Sequence, residues 1–197
     1  NEGISIMTTR LPASFLPAKF QVLSGSALKL IAITLMLIDH TGLMILYNYP
    51  ATTATLFSFG GVDYSWYRIF RDIGRAAFPI FCFLLIEGFM HTHDVKKYAL
   101  NLGIFALVSE IPFDLAFAGK PFYLDYQNVF FTLFIGLVMM IFLQKIDSKA
   151  QQDAGAWQRA NWKVSVGKLL VIVAACAVAT LLKTDYSAMG ILTIVLM

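Results

Sequence analysis

The sequence predicts an all-α fold, a polytopic bundle of transmembrane helices with about six spans. Of its 197 residues 58% are hydrophobic and 14% are charged, against about 25% charged in soluble globular domains. Several apolar runs also approach or exceed the length of about 18 residues that indicates a membrane span. The mean hydropathy is +0.71. The composition and the apolar runs therefore predict an integral membrane protein.

The elements are predicted in chain order as follows. Residues 1–26 are polar to mixed and read as an N-terminal cytoplasmic tail, with Ser24 or Ser26 capping the first helix. Spans are predicted at 27–47, 76–92, 97–117, 129–144 and 166–183, and a last one begins near 188. That last run falls short of the about 20 residues that cross a hydrocarbon core. We expect either a half-helix or, preferably, a fragment of a longer protein, so that residues 27–197 form an incomplete transmembrane domain.

Lysine and arginine set the orientation. Ten of them fall on the side that carries the N-terminus and five on the other, which places the N-terminus in the cytoplasm. Arg68, Arg71 and Arg75 oppose this bias on the outer side, at the spacing of a short helix before the second span. They are expected to meet lipid phosphates or to bind an anion. The stretch from Lys145 to Lys163 reads as a solvated cytoplasmic loop, and no basic cluster suggests nucleic acid.

Cysteine and histidine give no sign of a metal centre. Cys82 and Cys176 lie inside apolar runs and are predicted to be free thiols. The HTHD stretch from His91 contains ligand-type residues, but it lies beside two lysines, so a solvated loop is favoured over a metal site.

Ionisable residues inside the predicted spans raise the free energy of insertion into the membrane. Each costs on the order of 2.5–3.5 kcal/mol near the bilayer centre, and function is the default hypothesis for such residues. His40 lies about 20 Å along the first helix and Glu110 a similar distance along the third, so the two can meet at one level. Glu87 belongs nearer the cytoplasmic side. The full set is Asp39, His40, Glu87, Glu110 and Asp114.

Helix geometry separates Asp39 from His40. Neighbours on a helix point about 100° apart, so the carboxylate that orients His40 is predicted to be Glu110 or Asp114. Asp39 is then predicted to pair with an arginine, Arg71 or Arg75, or with a backbone donor. Pro112, between the two carboxylates of the third span, is expected to kink it.

Simpler structural roles stay open for several of these residues. His40 could only join two helices by a hydrogen bond, and Glu87 could only pair with His91 four residues later. Asn128 is most simply the cap of the fourth span. A histidine base with orienting carboxylates and arginines suits acyl transfer from a phosphate-bearing donor, and the same residues suit proton movement in a transporter.

Four segments together resemble the TraX family of membrane proteins. They are ALKLIAITLMLIDHTG, FRDIGRAAFPIFCFLLIEGFMHTHDVKKYALNLGIFALVSEIPFDLAF, QNVFFTLFIGL and DYSAMGIL, in that order over most of residues 27–197. The family's named member acetylates the N-terminal amine of conjugative pilin. The resemblance implies a bacterial inner-membrane acyltransferase that takes acetyl-CoA from the cytoplasm, needs no metal, and modifies a pilin, peptide or glycan acceptor.

The resemblance also suggests roles for the residues, with a membrane histidine as general base. His40 is then the predicted base, with Asp39 beside it and Glu110 as its orienting carboxylate. Binding of substrate or acetyl-CoA is predicted for the remaining candidates, which are Arg71, Arg75, Glu87, Asp114, Asn128 and Lys97. The alternatives are a proton-coupled membrane transporter and a non-catalytic assembly factor.

Overall fold

The computed structural model describes residues 24–152 and 157–197, and the predicted tail over 1–26 lies almost entirely outside these ranges. A 3₁₀ turn, Leu46–Asn48, follows the first helix. The described elements, in chain order, are α1 (Gly25–Met44), α2 (Pro50–Thr53), β1 (Phe57–Phe59), β2 (Val62–Tyr64), α3 (Trp66–Arg75), α4 (Ala77–His91), α5 (Val95–Ala118), α6 (Val129–Gln152), α7 (Trp157–Leu181) and α8 (Ser187–Leu196).

The polytopic helical fold is confirmed. Within the described ranges, five helical segments are long and apolar enough to cross a membrane: Gly25–Asn48, Trp66–His91, Val95–Ala118, Val129–Gln151 and Trp162–Leu181. The sixth apolar helix, α8, has 10 residues and spans about 15 Å, roughly half a hydrocarbon core.

Two predicted boundaries are wrong. The second span begins at Trp66, ten residues before the predicted start, because α3 runs into α4 with a break only at Ala76. The predicted loop from Lys145 to Lys163 is largely helical, since α6 extends to Gln152 and α7 begins at Trp157. Charged residues end the apolar stretch in both places, but they do not end the helix.

Local sequence explains the other elements. Ser24 caps α1 by accepting a bond of 3.2 Å from the Ala27 N–H, as predicted. The hairpin β1–β2 was not predicted, although its turn is Gly60-Gly61 and both glycines have positive φ, as a two-residue hairpin turn requires.

The core lies between α4, α6, α7 and α8. Cys82 and Leu137 are completely buried there, and Ile191 of α8 is enclosed with them. Both cysteines are free thiols, as predicted.

Helix α3 packs against the second half of α1, and two glycines permit the close approach. A Cβ added at Gly74 would overlap the backbone of Asp39, and one at Gly42 would lie 3.0 Å from Phe70 Cβ. Glycine at position 74 therefore allows α3 to bring its arginines against Asp39.

Candidate functional site

Polar residues from five segments collect at one end of the bundle. The spans alternate in direction, so the C-terminal halves of α1 and α5, the start of the α3–α4 span, the start of α6 and the α7–α8 turn all lie at the end opposite the N-terminus of α1. This topology brings together most of the predicted site residues.

Asp39 pairs with Arg71, which confirms one of the two predicted arginine partners. Arg71 Nη1 donates to Asp39 Oδ2 at 2.5 Å, and both side chains are less than one-fifth exposed. Asp39 Oδ1 is buried and makes no hydrogen bond in the described part of the chain. Arg75, one helical turn after Arg71, is exposed and forms no ion pair with any described residue.

A backbone carbonyl orients His40. His40 Nδ1 lies 2.9 Å from the carbonyl oxygen of Met36, one turn earlier in α1. A carbonyl can only accept, so Nδ1 carries the proton and donates it, and in the neutral ring Nε2 keeps its lone pair. Asp39 Oδ2 is 4.0 Å from Nδ1, too far for a hydrogen bond. Nε2 makes no hydrogen bond to any described residue.

The predicted orientation of His40 by Glu110 or Asp114 is therefore wrong. Glu110 accepts from the backbone N–H of Asn128 at 3.1 Å and from the Asn128 side-chain amide. Asp114 is 1% exposed and accepts from the Tyr123 N–H at 2.6 Å. One oxygen of each carboxylate therefore satisfies a backbone N–H after α5, since buried N–H groups outside a helix need partners, and the other oxygen has no partner among the described residues.

Asn128 is the cap predicted for the fourth span. Its Oδ1 accepts from the Phe130 N–H at 2.9 Å, which satisfies a free donor at the start of α6. Its Nδ2 donates to the carbonyl of Ala106 at 3.0 Å and also to Glu110. Asn128 thus joins the start of α6 to the second half of α5. Helix α5 continues through Pro112.

Asp185, in the turn between α7 and α8, is the residue that the sequence prediction missed. Its Oδ1 accepts from the Tyr126 hydroxyl at 2.7 Å and from the Tyr186 N–H at 3.0 Å. The Asp185 N–H donates to the carbonyl of Gln127 at 2.9 Å, and its carbonyl accepts from Thr132. The available signal was an aspartate between two apolar runs, within the DYSAMGIL segment of the resemblance.

The backbone of this turn is strained. Lys183, Tyr186 and Ser187 all have positive φ, at 52°, 63° and 43°. Side chains other than glycine rarely adopt this region, and such residues persist only where the surroundings hold them. Here Tyr186 stacks on Phe78 with ring centroids 3.9 Å apart.

Burial shifts the pKa values of side chains in and near the same turn. It raises the pKa of Asp185 above the ordinary carboxyl value, an effect that the Tyr126 hydroxyl, the Tyr186 N–H, Arg71 and His40 partly offset. Burial, and then the charge of Asp185, raises the pKa of Tyr186 to about 12. The pKa of Tyr126 is raised by the same two causes. Both tyrosines therefore stay protonated and can serve as donors at neutral pH.

Two cavities meet at His40 and Asp185. The first, of about 440 Å³, lies between α1, α5 and the start of α6. Its lining is mostly apolar and includes Ile33, Leu37 and Phe130. The second, of about 320 Å³, is lined by Asp39, His40, Leu43, Arg71, Arg75, Phe113, Phe117, Tyr126, Asp185, Tyr186 and Met189. We call these the apolar cavity and the polar cavity.

Glu87 and Lys97 lie at the opposite end of the bundle. Glu87 Oε2 is 3.4 Å from His91 Nδ1, which is the structural pair considered above. The Lys97 N–H donates to the Asp94 carboxylate, which caps the start of α5. In the part of the chain that the structure describes, no group of three or more His, Cys, Asp or Glu side chains is placed to hold a metal ion.

Comparisons with known proteins identify relatives of the chain. A family model described as "TraX protein" matches residues 24–197. The "Probable fimbrial assembly protein FimC, serogroup H1" of Dichelobacter nodosus is 33% identical over 126 residues, a match that covers 60% of this chain and 46% of that protein. The chain thus spans about half the length of this relative. No solved structure matches the chain.

Proposed function

The chain belongs to the TraX family, and we propose that it is an integral membrane acetyltransferase that moves an acetyl group from acetyl-CoA to an amine or hydroxyl acceptor. His40 is the general base. The fimbrial assembly relative favours a pilin or another surface peptide as acceptor over a glycan. The excess of lysine and arginine on the side of the N-terminus supports an inner-membrane location with that terminus in the cytoplasm.

The observation that carries this proposal is the state of His40. Its Nδ1–H is held by the Met36 carbonyl, which leaves the lone pair of Nε2 for a substrate. His40 lines both the apolar and the polar cavity. A base must lie within hydrogen-bond reach of the proton that it abstracts, and a residue at the junction of two cavities can reach two substrates.

The two cavities suit two different substrates. The apolar cavity extends along α1 from Met44 back to Ile33, about 16 Å towards the end of the bundle that carries Lys97. This path suits the thioester arm of acetyl-CoA, whose phosphates would meet Lys97 at the cytoplasmic side. The polar cavity, with its two arginines, suits the acceptor.

The remaining charged residues serve the acceptor side. Asp39 holds Arg71 in place, and the pair forms one wall of the polar cavity. Arg75 lines the same cavity and has no ion pair with a described residue, so it is available to an acidic group on the acceptor. Glu110 and Asn128 join α5 to the start of α6, where Asn128 lines the apolar cavity, and they act as positioning residues.

Radioactive acetyl transfer tests the proposal. Membrane vesicles that contain the protein receive acetyl-labelled acetyl-CoA, and labelled acceptors are separated and identified by mass spectrometry. We expect His40→Gln to lower the rate about 100-fold or more, since general base catalysis contributes 10²–10⁴-fold. The matched control is His93→Gln, an exposed histidine at the other end of the bundle. Undiminished transfer by His40→Gln would exclude His40 as the base.

A further inference from the structure

The apolar cavity opens through the side of the bundle. Helix α1 packs against α3 and α4, α5 packs against α6, and the cavity lies between α1 and α5. Ile33 and Leu37 line the cavity and are nevertheless 52% and 66% exposed. They lie about 12 and 18 Å from the start of α1, in the middle of a hydrocarbon core of about 30 Å. At that level the surroundings are lipid chains, so the opening faces the interior of the bilayer.

The length and position of the cavity match one leaflet of a bilayer. Helix α1 has 20 residues and spans about 30 Å, so Met44 lies at one boundary of the hydrocarbon core and Ile33 lies near its midplane. The cavity is lined from Met44 to Ile33 over about 16 Å, and half a hydrocarbon core is about 15 Å. The acyl chains of the leaflet at the Met44 end run in this same direction, from the interface to the midplane. The cavity therefore has the depth and orientation of one such chain.

Arg75 supplies a cation near the Met44 end of this path. It lines the polar cavity, which joins the apolar cavity, and it has no ion pair with any described residue. Gly74 packs directly against Asp39, so Arg75 leaves α3 near the level of Asp39, about 8 Å from Met44 along the bundle. An arginine side chain reaches the interface from such a depth, and its guanidinium binds phosphate oxygens in pairs.

The other charged groups of the polar cavity have partners. Arg71 and Asp39 form an ion pair without net charge. Asp185 accepts two hydrogen bonds on its Oδ1. Burial raises the pKa of Asp185, so this carboxyl repels a nearby anion less than an exposed aspartate would. Arg75 is therefore the charged group of this cavity that a phosphate would compensate.

We propose that the apolar cavity is a phospholipid site, in which one acyl chain enters between α1 and α5 and the lipid phosphate binds Arg75. The second acyl chain stays in the bilayer. The inference goes beyond the proposed function and does not rest on it. The bound chain would fill the space proposed for the thioester arm of acetyl-CoA, so lipid and donor would exclude each other. The lipid would thus control access to His40, which lines the same cavity.

Photo-cross-linking in the absence of acetyl-CoA tests the site. The protein is held in micelles of dodecyl maltoside, which has no phosphate, and titrated with phosphatidylglycerol that carries a diazirine in one acyl chain. After irradiation, mass spectrometry identifies the labelled residues. Label on the cavity residues Leu37 and Ser109 is expected to half-saturate at a lipid fraction about 10-fold lower than label on α7. The residues compared on α7 are highly exposed and line neither cavity: Leu169 and Val173.

Two pairs of variants separate the acyl chain from the phosphate. Ser109→Trp fills the cavity and should abolish the preferential label, whereas Leu107→Trp, on the exposed face of the same helix, should keep it. Arg75→Gln should raise the half-saturating lipid fraction about 10-fold, since hydrogen bonds between charged groups are the strong ones. The control Arg68→Gln lies on the same helix, where Arg68 pairs with Asp72 and is half exposed, and it should leave that fraction unchanged.

A neutral lipid completes the test. A diacylglycerol with the same two chains and the same diazirine lacks the phosphate and should need about 10-fold more lipid than phosphatidylglycerol. Label that simply follows exposure over α1, α5 and α7, cavity label that persists in Ser109→Trp, or equal half-saturation by the two lipids would each overturn the phospholipid site. Saturable label in the cavity that depends on Arg75 would support it, whether or not the protein transfers acetyl groups.

Discussion

Replacing Arg71 by methionine is expected to destabilise the protein strongly. Asp39 Oδ2 would lose its partner at 2.5 Å, and Oδ1 already lacks one among the described residues. Removing one member of a buried ion pair costs about 3–5 kcal/mol, because the other charge is left unpaired. Both side chains keep some exposure, 16% and 19%, so the lower figure of about 3 kcal/mol applies to Arg71→Met.

A double-mutant cycle isolates the pair itself. Asp39→Asn with Arg71→Met removes both charges, so the double variant is expected to cost only about 1 kcal/mol. With about 3 kcal/mol for each single variant, the double variant should cost about 5 kcal/mol less than the sum of the two single variants, which is the coupling energy between the two positions. The free energy of unfolding is measured by titrating SDS into mixed micelles, with tryptophan fluorescence as the signal.

The control lies on the same helix. Arg68 and Asp72 form a pair at 3.7 Å, with both side chains about half exposed. Arg68→Met is expected to change stability by about 0.5 kcal/mol or less, as for other solvent-exposed pairs. If the changes in the free energy of unfolding caused by Arg71→Met and Asp39→Asn were additive, the energetic coupling of the two residues would be refuted.

Three further predictions concern packing, capping and titration. Gly74→Ala is expected to cost about 1–3 kcal/mol in the same unfolding assay, because its Cβ overlaps the α1 backbone. Asn128→Ala should cost about 2 kcal/mol or more through loss of the α6 cap and of a donor to Glu110, whereas the exposed Asn101→Ala should cost far less. For Asp185 the pKa is raised by burial, so the stability linked to its protonated form is full below the ordinary pKa of about 3.9 and is lost as the pH rises through the raised value. Asp185→Asn should therefore be more stable than the wild type at neutral pH, and unfolding curves recorded down to about pH 4 should show that advantage disappear.

The sequence predicted the fold because membrane spans are specified locally. A run of apolar residues determines a span wherever it lies, and the five long spans follow the predicted runs, with their ends shifted. The pairing of Asp39 with Arg71 was also predictable, because a buried charge in a span needs a partner and three arginines follow at helical spacing. Tertiary packing determines that the partner is Arg71, because α3 approaches α1 closely at Gly74.

The partner of His40 was not predictable by the same reasoning. The depth of the two residues along their helices placed Glu110 at the level of His40. Depth does not show which of several nearby donors forms the hydrogen bond with a carboxylate. The N–H of Asn128 donates to Glu110, and His40 Nδ1 donates to the Met36 carbonyl. Asp185 escaped prediction for a related reason. It follows the last long span by four residues, so its sequence position suggests a solvated turn, and only the packing of α8 encloses it.

The four carboxylates at this end of the bundle differ in their partners and in the cavities that they line. Glu110 and Asp114 accept from backbone N–H groups of the loop between α5 and α6, so they fix the shape of the cavities. Asp39 is neutralised by Arg71 and holds α3 against α1. Asp185 also has neutral donors on one oxygen, and it differs from the other three carboxylates in lining both cavities. Removing any of the four carboxylates would leave at least one donor unpaired, since each of them accepts a hydrogen bond. Burial raises the pKa of Asp185, so its ionised form opposes folding, and a cation that bound this carboxylate would stabilise the folded protein.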